Sequence, residues 1–494
     1  MSTSSRRDFV KKTVVAGTSA FSLVPRRVLG GPGQVPPSEK VNLALIGIGG
    51  RGAHVAMLAD WWEVDREERD LDIPEHEALS GKWNEATKYE RRIKESMVNI
   101  VAMCDVDAVR SAPTLNPNNK IYPPGDRFLK ARMFKDYRLM LDQVKGDIDG
   151  VLIAVPDHTH FHATLSAMQL GLHVYTEKPL TRFASEARRL TEAARKYEKV
   201  VTQMGNQGHS SWSTARIRDW VLNGSIGQVS EVVAWNPGNA HALDPRIESP
   251  VPETLNYDLW VNREPFRPYQ AGAWRPWSYW SSGTLGDFGC HTLDAAFYAL
   301  DLRYPERVEV ETGGEWPVPD SFPSEQTVAW YVPARDGKPP VRVRYFMMGA
   351  AALDKRVVPL LEHLPPGTSL KDLFRFGRGA AIIGEKATIL YGGWGATSRI
   401  VPDDKAKEIG FAPEKSPRVD GHMRTFLRAC KGQGKTLSSF DYAGPLAEMV
   451  ALGDVALRSK DKMINWDFKA MKVTNDAQAN QLAQGSPPRP GWEI

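Results

Sequence analysis

Short apolar runs alternate with helical stretches over roughly the first 200 residues of the chain. The runs that indicate buried strands are Val41 to Ile46, Val98 to Asp105, Asp149 to Pro156, Leu172 to Tyr175 and Val200 to Met204. Between them lie helical stretches such as Phe161 to Leu170, which Gly171 ends, and a charged stretch at 184–197. Strands that alternate with helices are typical of a doubly wound parallel sheet. We therefore predict an α/β domain of this kind over residues 39–206.

The pattern changes after about residue 206. Strand-like runs occur at 228–235, 307–311, 327–332, 341–347 and 380–391, and long loops rich in Pro, Gly and Trp separate them. A helix is predicted near Tyr442 to Ser459. This order predicts a second domain of α+β type over residues 207–494, with a large, mostly antiparallel, open sheet.

The overall composition is ordinary, with 42% hydrophobic and 25% charged residues in a chain of 494. No apolar run approaches the roughly 18 residues that a membrane span needs. The net charge is +4, but the first 30 residues carry +5 of it, so the remainder is near −1. That balance argues against a general nucleic-acid surface. The three cysteines, Cys104, Cys290 and Cys430, form no disulfide framework.

The N-terminus resembles a targeting signal. A twin-arginine pattern, Ser5-Arg6-Arg7-Asp8-Phe9-Val10-Lys11, precedes a weakly apolar stretch from Thr13 to Val24. We predict that residues 1–30 are a twin-arginine signal peptide, that its partner is the twin-arginine export machinery and that the mature protein is periplasmic. No cysteine follows the apolar stretch, so no stable membrane anchor is expected. A disordered basic tail is the alternative.

A glycine-rich loop follows the first strand. Gly47, Gly49 and Gly52 fit the G-x-G-x-x-G pattern, with Gly50 and Arg51 between them. In a dinucleotide-binding domain these glycines permit the tight turn, the approach of the pyrophosphate and close packing of helix on strand. We therefore predict a dinucleotide site at this loop.

Asp105, at the end of the second strand, is the candidate acidic residue for the ribose hydroxyls. It would repel a 2′-phosphate, which favours NAD over NADP. It lies 53 residues after Gly52 rather than the usual 20 or so. We attribute the excess to a helical insertion at about 60–95. The alternative for Asp105 is a solvated acid at a strand end.

Three histidines alternate in the segment from Pro156 to His162. Side chains on a turn that enters a helix do not all converge, and no carboxylate or cysteine cluster accompanies His158, His160 and His162. We therefore predict no metal site and interpret the segment as a loop that faces the cofactor.

Two further segments carry candidate catalytic groups. Lys178 leaves the strand that ends at Tyr175, so it points at the crevice where ligands bind in such sheets. Asp287 and His291, four residues apart on a predicted helix, share one face. A base beside a lysine and a nicotinamide suits the oxidation of an alcohol. An internal Asp–His hydrogen bond at a helix start is the alternative.

The glycine loop, Glu177-Lys178-Pro179 and the Asp287-x-x-x-His291 segment, in that order, resemble the glucose-fructose oxidoreductase / inositol dehydrogenase / MocA (Gfo/Idh/MocA) family. The resemblance implies a Rossmann domain, a second α/β domain whose open sheet supports homo-oligomers, an NAD(P) cofactor, and sugar or cyclic polyol substrates. It implies catalytic roles for Lys178, Asp287 and His291. Cofactor contacts are expected at Gly47, Gly49, Gly50, Arg51, Gly52, Asp105, Pro156, His160, Glu177, Lys178, Asn206 and Gln207.

The segment from Met204 to Ser210 and the Trp-rich stretch before Asp287 resemble the exported branch of this family. That branch neighbours NAD-dependent glycosidases such as the α-N-acetylgalactosaminidases, in which His209 would occupy the position of a catalytic tyrosine. His209, Trp274, Arg275 and Trp277 are the candidate substrate-binding residues, since aromatic faces stack on sugar rings. Core packing is the alternative for each Trp.

The sequence therefore predicts an exported enzyme that moves a hydride between a sugar or glycoside and a tightly bound NAD. His291 would be the base, Lys178 would stabilise the reacting oxygen, and Asp287 would orient His291. One alternative is an NAD-dependent glycosidase or lyase with transient oxidation at C3; Lys178, a residue of the dehydrogenase type, favours the first interpretation. A non-catalytic carbohydrate-binding protein is the second alternative.

Overall fold

The computed structural model describes residues 40–60, 97–115, 130–238, 248–314, 316, 320–361, 364, 367–419 and 421–494. The predicted signal peptide lies outside the described residues, and so does the predicted insertion from residue 61 onward. No helix in the described ranges is long and apolar enough to cross a membrane.

The first part of the chain forms a parallel sheet of six strands with helices between them. Its elements are β1 Val41–Ile46, α1 Arg51–Asp60, β2 Val98–Cys104, α2 Ala108–Leu115, β3 Arg132–Phe134, α3 Tyr137–Val144, β4 Gly150–Ile153, α4 Asp157–Gln169, β5 His173–Thr176, α5 Ala184–Lys196 and β6 Thr202–Met204. The strand order is β3-β2-β1-β4-β5-β6, and all pairs are parallel. The predicted doubly wound sheet is confirmed.

The strand order reverses beside β1, which pairs with β2 on one side and β4 on the other. In sheets of this kind the crevice outside the carboxyl ends at that reversal binds ligands. The loops after β1, β2 and β4 therefore meet at one place. The apolar runs form these strands because both faces of the sheet are covered; Val41, Leu43 and Ala44, for example, are fully buried.

The second part of the chain forms a mixed sheet of nine strands. Its elements are the 3₁₀ turn Gln207–Ser210, α6 Trp212–Leu222, β7 Val229–Pro237, α7 Tyr257–Val261, α8 Gly283–Thr292, α9 Asp294–Leu300, β8 Arg307–Gly313, β9 Gln326–Val332, β10 Val341–Met348, α10 Ala350–Val357, the 3₁₀ turn Val358–Leu360, α11 Leu370–Leu373, the 3₁₀ turn Arg375–Gly377, β11 Gly379–Gly384, β12 Thr388–Gly392, β13 Arg399–Val401, α12 Asp403–Ile409, α13 His422–Cys430, α14 Phe440–Arg458, β14 Met463–Asp467, β15 Lys472–Val473 and α15 Ala477–Gln484. The order is β13-β12-β11-β7-β10-β9-β8-β14-β15, and β7 with β10 is the parallel pair among otherwise antiparallel neighbours. The predicted mostly antiparallel sheet is confirmed.

One detail differs from the sequence prediction. The run at 380–391 is a hairpin of β11 and β12 rather than one strand, because the chain turns between Gly384 and Ala387. Helices α10 and α11 pack on one face of the sheet, where Trp235 and Phe374 share an apolar cluster. That part of the face is covered by the chain itself.

Helices near the C-terminus return to the first sheet. Phe426 and Leu427 on α13 pack in one cluster with Leu43 and Tyr175. Helix α14 lies against α5 closely enough that a Cβ on Gly444 would stand 1.9 Å from Thr191 Oγ1. The two sheets are separate. The chain after residue 421 packs on both of them.

A buried ion pair fastens α5 to α14. Arg188 donates to Glu448 from Nε (to Oε2, 3.0 Å) and from Nη2 (to Oε1, 2.9 Å), and its Nη1 donates to Phe468 O at 2.8 Å. Trp466 Nε1 donates to the same carboxylate at 3.0 Å. The Glu448 side chain is 1% exposed, so its charge depends on these donors.

We expect Arg188→Met to lower the free energy of unfolding by about 1–3 kcal/mol, because burial raises the pKa of Glu448 to about 7 and its buried carboxyl loses two donors. Urea denaturation of the purified protein measures the change. The double variant Arg188→Met/Glu448→Gln should recover most of the loss, since Gln is neutral and still accepts from Trp466. Equal stabilities of Arg188→Met and wild type would show that the pair does not hold the helices together.

Candidate active site

A cavity of about 770 Å³ lies at the carboxyl ends of the first sheet. Its lining comes from the glycine loop, the ends of β2, β4 and β5, helix α8, and the segment that precedes α8. Residues 248–282 of that segment are here called the wall segment. Residues from both the first and the second part of the chain therefore line the cavity.

At Gly47 and Gly52 the glycine turn leaves no room for a side chain. Gly47 has φ +81°, and a Cβ there would lie 2.4 Å from Ala154 O. A Cβ on Gly52 would lie 2.0 Å from Gly47 O, so Gly52 permits helix α1 to close on the turn. Gly50, with φ +49°, faces open space and lines the cavity with Gly47, Gly49 and Arg51. Gly52 serves packing and does not line the cavity.

Asp105 holds this turn through its carboxylate. Oδ2 accepts from Ile48 N–H at 2.9 Å, and Oδ1 accepts from Asp107 N–H at 2.9 Å. Burial raises the pKa of Asp105, and these backbone donors oppose the rise. Asp105 and Arg110 both line the cavity; the sequence analysis did not single out Arg110.

These residues fit a dinucleotide. The turn has no Cβ at Gly47, Gly50 is open to the cavity, and a carboxylate with unused lone pairs stands next to it. A pyrophosphate needs a close approach to backbone N–H groups at such a turn, and ribose hydroxyls need an acceptor.

A second network lies at the end of β5. Glu177 Oε1 accepts from Arg51 Nε and from Gln207 Nε2, both at 3.1 Å. Gln207 and Glu177 line the cavity. Asn206 does not line the cavity; its Oδ1 accepts from Ser438 Oγ at 2.6 Å in the protein interior.

Lys178 and Asp287 meet in the cavity from different halves of the fold. Lys178 follows β5, and Asp287 lies on α8; their Nζ–Oδ1 distance is 2.5 Å. Nζ also donates to the Asp287 carbonyl at 3.0 Å, and Arg275 Nε lies 3.9 Å from Asp287 Oδ2. The side chains of Lys178 and Asp287 are 15% and 18% exposed, so the pair can reach a ligand in the cavity.

His291 lies one turn further along α8 and also lines the cavity. Burial lowers its pKa well below 6.5, and the positive charges of Lys178 and Arg51 lower it further. The ring is therefore neutral near pH 7 and can accept a proton. Its Nδ1 has no hydrogen-bond partner among the described residues. Asp287 Oδ1 bonds to Lys178, and the Asp287 charge also acts on His291, whose pKa it raises against the effect of burial.

The three alternating histidines have different partners. His158 Nε2 lies 2.8 Å from Trp260 O, and His162 Nε2 lies 2.7 Å from Trp492 O. His160, which lines the cavity with Pro156, lies 2.6 Å from Pro179 O and 2.9 Å from Val155 O. Burial lowers the pKa of His158 to about 3 and that of His162 to about 4. Within the described ranges no group of three ligating side chains is placed to hold a metal ion.

The wall segment contains its own aromatic core. Tyr257, Trp277 and Trp280 pack together, with Trp277 only 7% exposed. Trp277 lines the cavity but presents little free surface, so packing accounts for most of its contacts. Trp274 is half-buried, and Arg275 lies 4.4 Å over its ring, at the cavity.

Backbone hydrogen bonds join the wall segment to the first sheet at two places. Asn256 N–H donates to Val106 O at 2.9 Å, beside Asp105, and His158 N–H donates to Trp280 O at 3.3 Å. A buried ion pair, Arg182 with Glu264 at 2.6 Å, adds a third connection. The wall of the cavity is therefore fixed against the glycine turn.

The C-terminal residues fasten this wall from outside. Arg489 N–H donates to Arg263 O at 3.0 Å, and its guanidinium bonds to Asp258 and to the Asn262 carbonyl. The Trp492 carbonyl accepts a hydrogen bond from the His162 ring, and the Trp492 ring lies 3.8 Å beneath the Arg138 guanidinium. The last turn of the chain thus ties the wall segment to α3 and α4.

His209 lies outside the cavity lining, which corrects its prediction as a substrate-binding residue. Its Nδ1 lies 3.1 Å from both carboxylate oxygens of Asp294, and its ring packs between Tyr298 and Tyr442. The 3₁₀ turn at Gln207–Ser210 directs Gln207 to the cavity and His209 to the interior. Proximity in sequence to Gln207 could not reveal that difference.

Two cavity residues on and near the second sheet were not predicted. Trp394 follows β12, and its ring lies 6.0 Å from that of His291. Phe288 follows Asp287, with its ring 6.0 Å from Lys178 Nζ. The glycines around Trp394, at 392, 393 and 395, were the available signal for a fixed turn.

Two models of one family match the chain. The NAD-binding Rossmann model of the Gfo/Idh/MocA oxidoreductase family matches residues 80–204, and its C-terminal alpha/beta model matches residues 220–327.

Among curated relatives, the chain is 29% identical to D-glucoside 3-dehydrogenase of Escherichia coli over 203 residues, which are 41% of this chain and 47% of that protein. It is 23% identical to inositol 2-dehydrogenase of Salmonella paratyphi B over 177 residues, 35% of this chain and 49% of the relative. The chain thus spans about half the length of these relatives.

Among solved structures, the fold is similar to that of aldose-aldose oxidoreductase from Caulobacter crescentus, with a TM-score of 0.52 and 13% identity over 86% of this chain and 99% of the other. Identity at this level concerns the fold alone. The two family models and the curated relatives show that this chain is similar to the Gfo/Idh/MocA oxidoreductase family.

Proposed function

We propose that this chain is an NAD-dependent oxidoreductase that transfers a hydride between a hydroxyl or keto group of a sugar or glycoside and the cofactor. The observation that carries the proposal is the meeting of the Lys178–Asp287 pair and a neutral His291 in the cavity that the glycine turn lines. Binding without catalysis would not require a charged pair and a buried base at one point.

The protein's part in the reaction is acid–base and electrostatic. His291 accepts the proton of the substrate hydroxyl, which its neutral ring permits. Lys178 donates a hydrogen bond to the reacting oxygen and stabilises the negative charge that develops there. Asp287 positions the Lys178 ammonium through its carboxylate and carbonyl. A bound nicotinamide supplies the hydride acceptor or donor.

Several residues would hold the dinucleotide. The glycine turn would bind the pyrophosphate, and Asp105 the ribose hydroxyls. Arg51, Glu177 and Gln207 form one hydrogen-bonded group on the side of the cavity toward β5. The wall segment, fixed at Val106 and His158, favours a cofactor that stays bound, as a periplasmic enzyme would need.

The substrate class follows from the relatives' names and the lining. A glucoside fits best, because the chain is similar to a D-glucoside dehydrogenase and carries aromatic residues at the cavity. Export through the twin-arginine route rests on Arg6 and Arg7. Association into homo-oligomers remains a proposal from the family resemblance.

We expect Lys178→Ala and His291→Ala each to lower kcat by about 10²–10⁴, the usual contribution of one acid–base group. The double variant should lose little more than either single variant, since both groups act on one transition state. Rates of NADH formation measure this, and calorimetry with NAD serves as the control, because neither change should prevent cofactor binding. A variant with wild-type kcat would remove its residue from the mechanism.

Calorimetry should show tighter binding of NAD than of NADP, because the Asp105 carboxylate repels a 2′-phosphate. Asp105→Asn should narrow the preference for NAD over NADP, since it removes the negative charge of the side chain and keeps its size. Arg110→Ala should widen the preference for NAD over NADP, because the Arg110 guanidinium in the same cavity would attract the 2′-phosphate. Equal affinities for the two cofactors in the wild type would contradict the role of Asp105.

Deuterium incorporation separates oxidation from redox-assisted glycoside cleavage. A dehydrogenase that acts on an aryl glucoside in deuterium oxide should give a keto-glucoside and NADH, and leave the aglycone attached. Oxidation at C3 followed by elimination would make the C2 proton acidic and release the phenol. NMR that finds phenol with deuterium at C2 and no net NADH would favour the glycosidase alternative.

A further inference from the structure

An aromatic surface continues from the catalytic residues to the outside of the protein. Phe288, Phe376, Arg378 and Trp394 form this surface, which we call the aromatic rim. Arg378 lies 3.9 Å over the Phe288 ring and 5.2 Å from the centre of the Trp394 ring. Phe376 contacts Trp394 edge to face, with ring centres 5.9 Å apart. The rim therefore begins beside Lys178 and His291 and ends at an exposed phenyl ring.

The turn that carries Trp394 is fixed by close backbone contacts. A Cβ on Gly208 would lie 2.1 Å from Trp394 O, and a Cβ on Gly395, with φ +74°, would lie 2.2 Å from Thr214 Oγ1. Gly393 N–H donates to Arg378 O at 3.1 Å, which joins this turn to the chain after Phe376. The indole is thus held in place beside His291 before any ligand arrives.

The outer end of the rim is unusual for a solvent-facing segment. Phe376 is 55% exposed, and its φ is +63°, a conformation that is uncommon for a bulky residue. Phe376 lies just outside the cavity lining, in contact with Trp394, which is part of that lining. A strained aromatic residue that remains exposed at such a place points to a ligand contact. By contrast, Trp277 and Trp280 in the wall segment are packed, with 7% and 5% exposed.

We propose that the aromatic rim binds the ring of an aglycone, so that the substrate is a glycoside with an aryl or sugar aglycone rather than a free monosaccharide. This inference rests on the proposed function. The sugar carbon that reacts must lie at Lys178 and His291, and its glycosidic substituent then extends along Trp394 toward Phe376. Aromatic faces stack on both aryl rings and the apolar faces of sugars, and Trp is the strongest such partner.

The test compares ligands that differ only in the aglycone. Calorimetry on the NAD-loaded protein measures the affinities of methyl β-D-glucopyranoside, phenyl β-D-glucopyranoside and cellobiose. We expect the two ring-bearing ligands to bind about tenfold more tightly than the methyl glucoside, which corresponds to one stacked ring. A gain for the phenyl glucoside alone would identify an aryl aglycone, and a gain for cellobiose alone would identify a sugar.

Variants test whether the aromatic rim causes the tighter binding of the ring-bearing ligands. The affinity ratio compares a ring-bearing ligand with the methyl glucoside. Trp394→Ala should bring this ratio close to one and change the affinity for the methyl glucoside by no more than about twofold. Trp394→Phe should keep most of the ratio. Phe376→Gly should lower the ratio about two- to threefold without lowering Tm, because glycine suits φ +63°. Trp212→Ala, at an exposed position outside the cavity lining, is the matched control and should change nothing.

Failure of this inference differs from failure of the proposed function. Equal affinities for all three ligands in the wild type, or an unchanged ratio in both Trp394→Ala and Phe376→Gly, would overturn the rim as an aglycone site. If no glucoside binds and no NADH forms, the proposed function fails for glucosides and the inference falls with it. If Trp394→Ala lowers Tm, Phe376→Gly alone decides the question.

Discussion

The ion pair between Lys178 and Asp287 is the contact on which the candidate active site depends. Lys178 belongs to the end of a strand in the parallel sheet, whereas Asp287 belongs to a helix in the second half of the chain. Each charge is mostly out of solvent and would be costly alone. Their pairing fixes α8 against the crevice, and His291, one turn further on, is fixed with it.

The surroundings of this pair also affect the protonation state of His291. Burial lowers the pKa of His291 most, the Lys178 ammonium lowers it further, and the Asp287 carboxylate opposes both. The site therefore keeps a charged donor and an uncharged acceptor next to each other. This separation of roles between neighbouring groups is what an alcohol oxidation requires at neutral pH.

Much of this arrangement could be predicted from the sequence. The apolar runs identified the parallel sheet, because strands covered on both faces have continuous hydrophobic sequences. The ends of those strands then brought the glycine turn, Asp105 and Lys178 together. The spacing of Asp287 and His291 showed that the two residues share a helix face. It did not show that Asp287 forms an ion pair with Lys178.

The remaining differences from the sequence prediction concern the direction in which a side chain points and the extent to which it is packed. His209 is near Gln207 in sequence, yet a 3₁₀ turn points it at Asp294 in the interior. Composition could not separate the packed Trp277 from Trp394, since both are tryptophans in glycine- and proline-rich surroundings.

The contacts of Arg489 and Trp492 join parts of the chain that are far apart in sequence. The bond from Arg489 to Asp258 spans 231 residues, and that from His162 to the Trp492 carbonyl spans 330. Closing loops of this length costs conformational entropy that local contacts do not cost. The cavity wall therefore depends on long-range contacts, and we expect it to form late in folding.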